Sequence, residues 1–251
     1  MEINNSEKFF FSDFTHHEYR RLLQSAKCNY SFISYDKIEK RKNEILWRHD
    51  VDFSVHEALK LAEIEYEEGI STTYFFMLHN EFYNLLEREI SDLVLKIKEL
   101  GHSIALHFDT HYYGIVNDED LNQYLIFEKS ILDKLFDVDV KVFSFHNTTE
   151  FTMSCKQWEY GGLINTYADY FQSNVKYCSD SNGYWRFERL GDVLGMDNLR
   201  PLQILTHPEW WTKDTMSPKQ KIDRCIQGRA SSNALYYSIL LQKFKRENID
   251  W

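Results

Sequence analysis

Six residues of this chain have the types and the spacing to build one chemical site: Asp50, Asp52, His107, His111, His146 and His207. His107 and His111 are separated by three residues in Leu106-His107-Phe108-Asp109-Thr110-His111. Two imidazoles so spaced can meet one divalent ion at ~2.0–2.1 Å, whether they share a helix face or sit on a strand tip and the loop beyond it. Asp50 and Asp52 are one residue apart, and alternate residues of an extended strand face the same way, so both acids can aim into one mouth. Two histidines and one carboxylate leave a coordination position open for water or substrate. The second acid, held off the ion, can then accept a proton from water. His207, in Ile204-Leu205-Thr206-His207-Pro208, has the chemistry of a proton donor to a leaving amine. Each of these residues also has a plain structural use. Asp52 precedes the cap of a helix, a lone strand-end His is usually a satisfied hydrogen-bonding group, and the H-x-x-x-H spacing is common by chance.

The elements around them make their grouping informative. Ile45–His49 and Thr72–Leu78 are apolar or β-branched runs that read as strands, as do Ser103–His107, Val140–His146 and Leu202–His207. Between them, Ser54–Glu68 has apolar residues at helical spacing, with Ser54 and Glu57 as a capping box and Gly69 just past its end. Leu86, Ile90, Leu93, Val94, Ile97 and Leu100 share a helix face, and Leu121–Leu135 predicts the next helix. Further on, Cys155–Thr166 is expected to be helical and Val175–Ser179 extended. Pro218–Lys245 is expected to be a closing helix, begun by Ser217 and Pro218 and broken near Gly228. Alternating strands and helices imply a largely parallel sheet, and in such folds sites form at the carboxyl ends of strands. All six residues fall at or just after predicted strand ends.

The bulk of the chain sets limits. Its 251 residues show no low-complexity linker and no internal repeat, so a single domain over residues 1–251 is expected. The net charge of −10, with no basic stripe, argues against nucleic acid as a partner. No apolar run is long enough for a transmembrane segment, and no export signal is visible, so a cytoplasmic location is expected. Cys28, Cys155, Cys178 and Cys225 are scattered, which fits thiols in a reducing compartment. Aromatic residues make up 16%, enough to fill a core and still leave faces for sugar rings.

These residues resemble the polysaccharide deacetylases, the NodB-homology group that contains carbohydrate esterase family four and its relatives. That family's first motif is Thr-Phe-Asp-Asp-Gly, and Arg48-His49-Asp50-Val51-Asp52 is similar to its Asp-Val-Asp variant. The second, Gly-His-Glu-Ile-Gly-Asn-His followed by three residues and His, is similar to the stretch from Gly101 through His107 to His111. The last, Leu-x-His, is similar to Leu205-Thr206-His207. The resemblance implies a distorted (β/α) barrel with fewer than the usual eight strands, about seven. It implies Asp50 as general base, His207 as general acid, and Asp52, His107 and His111 as ligands of one divalent metal ion, zinc first. Leu205 would line the pocket for the acetyl methyl. The family's third motif, an Arg-x-Pro segment whose Arg orients the catalytic Asp, is absent, and Phe143-Ser144-Phe145-His146-Asn147 stands in its place. Arg48 or Arg186 could take over the orienting role, and His146 could face the metal or the sugar. The fourth motif, an Asp and Trp wall, has a loose counterpart from Asp180 to Trp185 and Arg186. Tyr184, Trp185, Trp210 and Trp211 are candidates for a sugar-stacking rim, with two or more of them serving packing.

The expected function is therefore a metal-dependent hydrolase that deacetylates an acetylated sugar or polysaccharide precursor. Two alternatives stand beside it: a sugar-binding pseudoenzyme on the same fold, and a hydrolase of another C–N or ester bond. Retention of both acid and base disfavours the first, and a single three-ligand set disfavours two-metal phosphoester chemistry.

Overall fold

The computed structural model describes residues 4–39, 41–196 and 199–249. Its strands are β1 (Ser31–Phe32), β2 (Glu44–Val51), β3 (Thr73–Phe76), β4 (Ser103–Phe108), β5 (Val142–Phe145), β6 (Glu159–Tyr160), β7 (Leu163–Asn165), β8 (Lys176–Ser181), β9 (Tyr184–Trp185) and β10 (Leu202–Thr206). Its α-helices are α1 (Asn5–Lys8), α2 (His16–Asn29), α3 (Val55–Glu67), α4 (Arg88–Glu99), α5 (Thr110–Tyr113), α6 (Asp118–Phe136), α7 (Glu150–Ser154), α8 (Asp169–Asn174), α9 (Leu190–Leu194) and α10 (Pro218–Lys243).

The strands form one ten-stranded sheet in the order β6-β7-β5-β4-β3-β2-β10-β8-β9, with β1 paired to the start of β2. Every pairing from β7 across to β8 is parallel, and the antiparallel pairs β6–β7 and β8–β9 sit at the two ends. This is the mixed α/β fold with a large, largely parallel sheet that the sequence predicts. The strand count exceeds the expected seven because β1, β6 and β9 are two-residue pairings. Among the described residues no pairing joins β7 to β8, so the sheet does not close and a seam remains between those strands.

The pleat sorts side chains into layers. On β2, Leu46 packs in an inner cluster with Phe75, Ala105 and Val142 from β3, β4 and β5. Ile45 and Trp47, one residue to either side, pack outward with Leu22, Leu23, Leu190 and Ile204. A third cluster joins the outer faces of β3, β4 and β5 (Phe76, Leu106, Phe143) to Val94, Leu121 and Leu132 of α4 and α6. Outward-facing His49 stacks on the ring of Tyr74, with centroids 4.3 Å apart, and its Nε2 lies 2.7 Å from Glu65 of α3. Glu65 is fully buried and also accepts from Tyr74 (2.7 Å), Thr72 (2.8 Å) and Tyr19. This network ties α2 and α3 to the strand that carries the two acids.

Two expectations fail locally. Residues 155–166 are not helical: they form the β6–β7 hairpin, because Gly161 and Gly162 turn the chain at φ +57° and +77°. A Cβ on Gly161 would stand 2.8 Å from Leu125 Cβ, so the hairpin also needs glycine to pass α6. Helix α10 does not break at Gly228. A helical Gly costs only about 1 kcal/mol relative to Ala, and Arg224–Glu57 (2.7 Å) and Arg229–Glu87 pin the helix on either side of it. Ser54 does cap α3, accepting from the backbone of Glu57, but the Glu57 side chain turns to Lys60 and Arg224 instead of closing the capping box.

Candidate functional site

The inward face of β2 carries Arg48 and Asp50 above Leu46, and Asp52 follows just past the strand end. The loop after β3 fixes that end. Tyr83 donates to the carbonyl of Val51 (2.8 Å) and Asn80 to that of Asp52 (2.9 Å). His107 ends β4 on the same inner face, Ser144 and His146 follow at alternate positions on and after β5, and His207 follows β10. Asp50, Asp52, His107, His146 and His207 line a cavity of about 480 Å³ at the carboxyl ends of the strands, with Leu205, Arg186 and Trp210 on its wall.

At its centre Asp52, His107 and His146 converge so closely that one atom from each could contact a common ion. Asp52 Oδ1 is 3.2 Å from His107 Nε2 and 3.6 Å from His146 Nδ1, and those two nitrogens are 3.2 Å apart. Tetrahedral ligands at ~2.0–2.1 Å from a zinc ion stand roughly 3.3–3.4 Å from one another, so the three atoms fit such an ion. Asp52 Oδ1 is buried and makes no hydrogen bond, which fits a position where a cation completes the shell. Burial alone would raise the Asp52 pKa, but the imidazoles of His107 and His146 hold it well below the usual carboxylate range. The reciprocal effect appears at His146: burial opposes its charge, yet the carboxylate of Asp52 lifts its pKa.

His111 stands apart from this cluster. Asp109 caps α5 by accepting from the His111 backbone (2.9 Å), and its carboxylate also takes the His111 ring at 3.0 Å. That turn leaves the His111 side chain about half exposed (53%) on the rim of the cavity.

Around the cluster lie Asp50 and His207, each held by partners of its own. Asp50 receives Arg48 Nη2 at 3.3 Å and the Ser144 hydroxyl at 3.3 Å. Ser144 Oγ is also 2.7 Å from His107 Nδ1. With Ser144 donating to Asp50, His107 donates from Nδ1 and keeps its Nε2 lone pair for the cluster. Arg48 is fully buried between the rings of Phe75 and Tyr167. Asp180 accepts both the backbone N–H of His207 and its Nδ1 (2.5 Å), leaving Nε2 3.8 Å from Asp52. Burial pushes the His207 pKa down, but the charge and hydrogen bond of Asp180 outweigh it and raise the value to about 10. Trp211 donates to the second oxygen of Asp180, at 3.3 Å.

The aromatic candidates divide. Trp210 lines the cavity. Trp185 and Trp211 are buried against Phe14, with the Trp185 indole donating to Asp13 (3.0 Å), and Tyr184 packs on Phe9. These three serve packing. Two residues escaped the reading of the sequence. Ser144 was signalled by the alternation Ser144-Phe145-His146, which puts it on the inner face of β5. Glu209, two residues after His207, is buried at the cavity wall with Oε2 unpartnered, and burial raises its pKa well above the ordinary carboxylate value. No periodicity marked it, since it lies in a single turn of 3₁₀ helix.

No family model matches the sequence, and no curated protein matches it. Solved structures similar to it include a family 4 carbohydrate esterase from Bacillus anthracis, at 17% identity over 85% of this chain and 86% of that one, with a TM-score of 0.44. The chitin deacetylase of Colletotrichum lindemuthianum aligns at 14% identity over 74% of this chain and 81% of its own, TM-score 0.41. A family 4 pseudoenzyme from Bacillus anthracis aligns at 15% identity over 77% and 63% of the two chains, TM-score 0.37.

Proposed function

We propose that this chain is a metal-dependent hydrolase that removes an acetyl group from an acetylated sugar or glycan precursor. One observation carries the proposal: a three-ligand cluster lies between a carboxylate held by Arg48 and an imidazole held by Asp180. Asp52, His107 and His146 would hold one divalent ion, zinc first among the candidates, with His111 on the rim as the competing third ligand. Such an ion, when bound, supplies Lewis acidity toward a water molecule and the acyl oxygen.

The chain's own groups do the rest. Asp50, kept out of the ligand cluster by its bonds to Arg48 and Ser144, accepts a proton from the attacking water as its oxygen bonds to the acyl carbon. His207, charged at neutral pH because Asp180 sustains its proton, gives that proton to the leaving nitrogen as the C–N bond breaks. The products are acetate and a free amine. Leu205 closes the wall beside the acyl methyl, and Trp210 offers a face to the sugar. Arg48 approaches Asp50 from β2, and this supports turnover despite the missing Arg-x-Pro segment. The four cysteines are all free, which fits a reducing compartment such as the cytoplasm. No helix among the described residues is long and apolar enough to cross a membrane.

Acetate release by the metal-loaded protein tests the proposal, with an N-acetylated sugar and an activated aryl acetate as substrates. Removing a general acid typically costs on the order of 10²–10⁴ in rate, so His207→Ala should lose that much on the amide. The aryl acetate, whose leaving group needs little protonation, should suffer much less. Absence of acetate from both substrates in the metal-loaded wild type would leave a sugar-binding pseudoenzyme.

A further inference from the structure

The seam between β7 and β8 opens a second cavity, about 430 Å³, that shares Thr148, Tyr167, Tyr177 and Arg186 with the first. Phe171 and Phe187 add aromatic wall. Its floor is polar. Gln203 and Thr166 are 5% and 2% exposed, and Gln203 Oε1 and Thr166 Oγ1 have no hydrogen-bond partner. Buried amides and hydroxyls are normally paired, so an acceptor and a hydroxyl left open beside a cavity point to a ligand that pairs them. At the edge common to both cavities stands Arg186, exposed, stacked over Phe187 at 5.2 Å and without an acidic partner among the described residues.

The charges of the first cavity sharpen the choice of ligand. Arg48 and His207 offset Asp50 and Asp180 there, whereas Arg186 at the shared edge has no such partner among the described residues, so an anionic part of a substrate is drawn to Arg186. Flat rings stack on aromatic walls, and their edge N–H and C=O groups suit an amide and a hydroxyl. A neutral oligosaccharide would leave Arg186 without a counter-charge. From these features we infer that the substrate is an acylated sugar carried on a nucleoside diphosphate. The base occupies the β7–β8 seam against Gln203 and Thr166, the diphosphate lies on Arg186, and the sugar enters the catalytic cavity. The assignment of the sugar end rests on the hydrolase proposed above; the seam and its cation do not depend on turnover.

Calorimetric titration of the full chain tests this, with uridine diphosphate, adenosine diphosphate, inorganic pyrophosphate and N,N′-diacetylchitobiose as probes. At least one nucleotide should bind tenfold or more tightly than pyrophosphate. Arg186→Ala, on the surface and so without risk to folding, and Gln203→Leu should each weaken it at least tenfold. Failure of both nucleotides to bind, binding no better than pyrophosphate, or affinity unchanged in either variant would overturn the inference. So would tight chitobiose binding that Gln203→Leu abolishes, since the seam would then hold a second sugar. Aryl acetate hydrolysis, followed in parallel, keeps the two ideas separate: its absence strikes the hydrolase proposal, while nucleotide affinity decides the seam.

Discussion

At the scale of single residues, the third metal ligand is the sharpest question, because His111 and His146 occupy such different places. Side-chain atoms of Asp52, His107 and His146 already lie within 3.6 Å of one another, whereas His111 is engaged by Asp109 on the rim. His146→Ala should therefore lose bound metal in elemental analysis, and His111→Ala should keep most of it. The reverse ranking would give the site to His111 and require α5 to turn inward. Ser144→Ala should weaken metal affinity by about 10–100-fold, the usual effect of removing the group that orients a ligating imidazole. A titration with a competing chelator reads this directly. His207 carries a pH prediction. Its folded pKa is raised above the ordinary 6.5, so the charged, proton-donating form is present at neutral pH and is lost only as pH rises through about 10. Asp180→Asn removes the main raising influence, so the basic limb of the kcat/KM profile should move to lower pH. An unmoved limb would show that the basic limb belongs to another group.

At the scale of elements, the site depends on how β2 is held. Its inward face presents Arg48 and Asp50 because its outward face is committed to Ile45 and Trp47 in the apolar cluster and to His49 on Glu65. A slip of one residue would turn Arg48 and Asp50 into the apolar cluster and Ile45 and Trp47 toward the inner face, so the packing fixes the register. Glu65 is central to that commitment. Burial acts to raise its pKa, but His49 outweighs burial and lowers it. Its stabilising contribution is therefore present above the unfolded value of 4.5 and lost as pH falls through the lower folded one. Glu65→Leu leaves the polar groups of Tyr19, His49, Thr72 and Tyr74 buried without their acceptor and should cost about 3–5 kcal/mol. Urea unfolding would show this as a lower midpoint at neutral pH, and a midpoint within error of wild type would mean that the network contributes nothing net.

At the scale of the whole molecule, the three proposed ligands come from residues 52, 107 and 146, on or just after three different strands, so an ion that binds them would also tie β2, β4 and β5 together. Ligands that bind only the folded state stabilise by mass action, about 2.7 kcal/mol at a free concentration one hundred times Kd. Zinc added at that excess to chelator-treated protein should raise Tm by several degrees, and Asp52→Asn should abolish most of the rise. An equal rise in the variant would place the stabilising ion elsewhere.

The sequence by itself determined what depends on local pattern. The strands around Ile45–His49, Ser103–His107 and Leu202–His207 could be read from short apolar runs, and the alternation of Asp50 with Asp52 follows from a two-residue pleat. The convergence of late strand residues on one mouth follows from parallel topology, which repeated strand–helix units imply. Only the tertiary structure decided which histidine joins the cluster. His107, His111 and His146 carry equal chemistry in sequence, but the cap at Asp109 turns one outward, while the β4–β5 pairing brings another beside His107. Likewise no local signal could tell that Trp185 faces Phe14, that Glu209 lines the cavity, or that β7 and β8 stay apart. Those outcomes rest on contacts between segments far apart in the chain, and their energies exist only once the sheet has assembled.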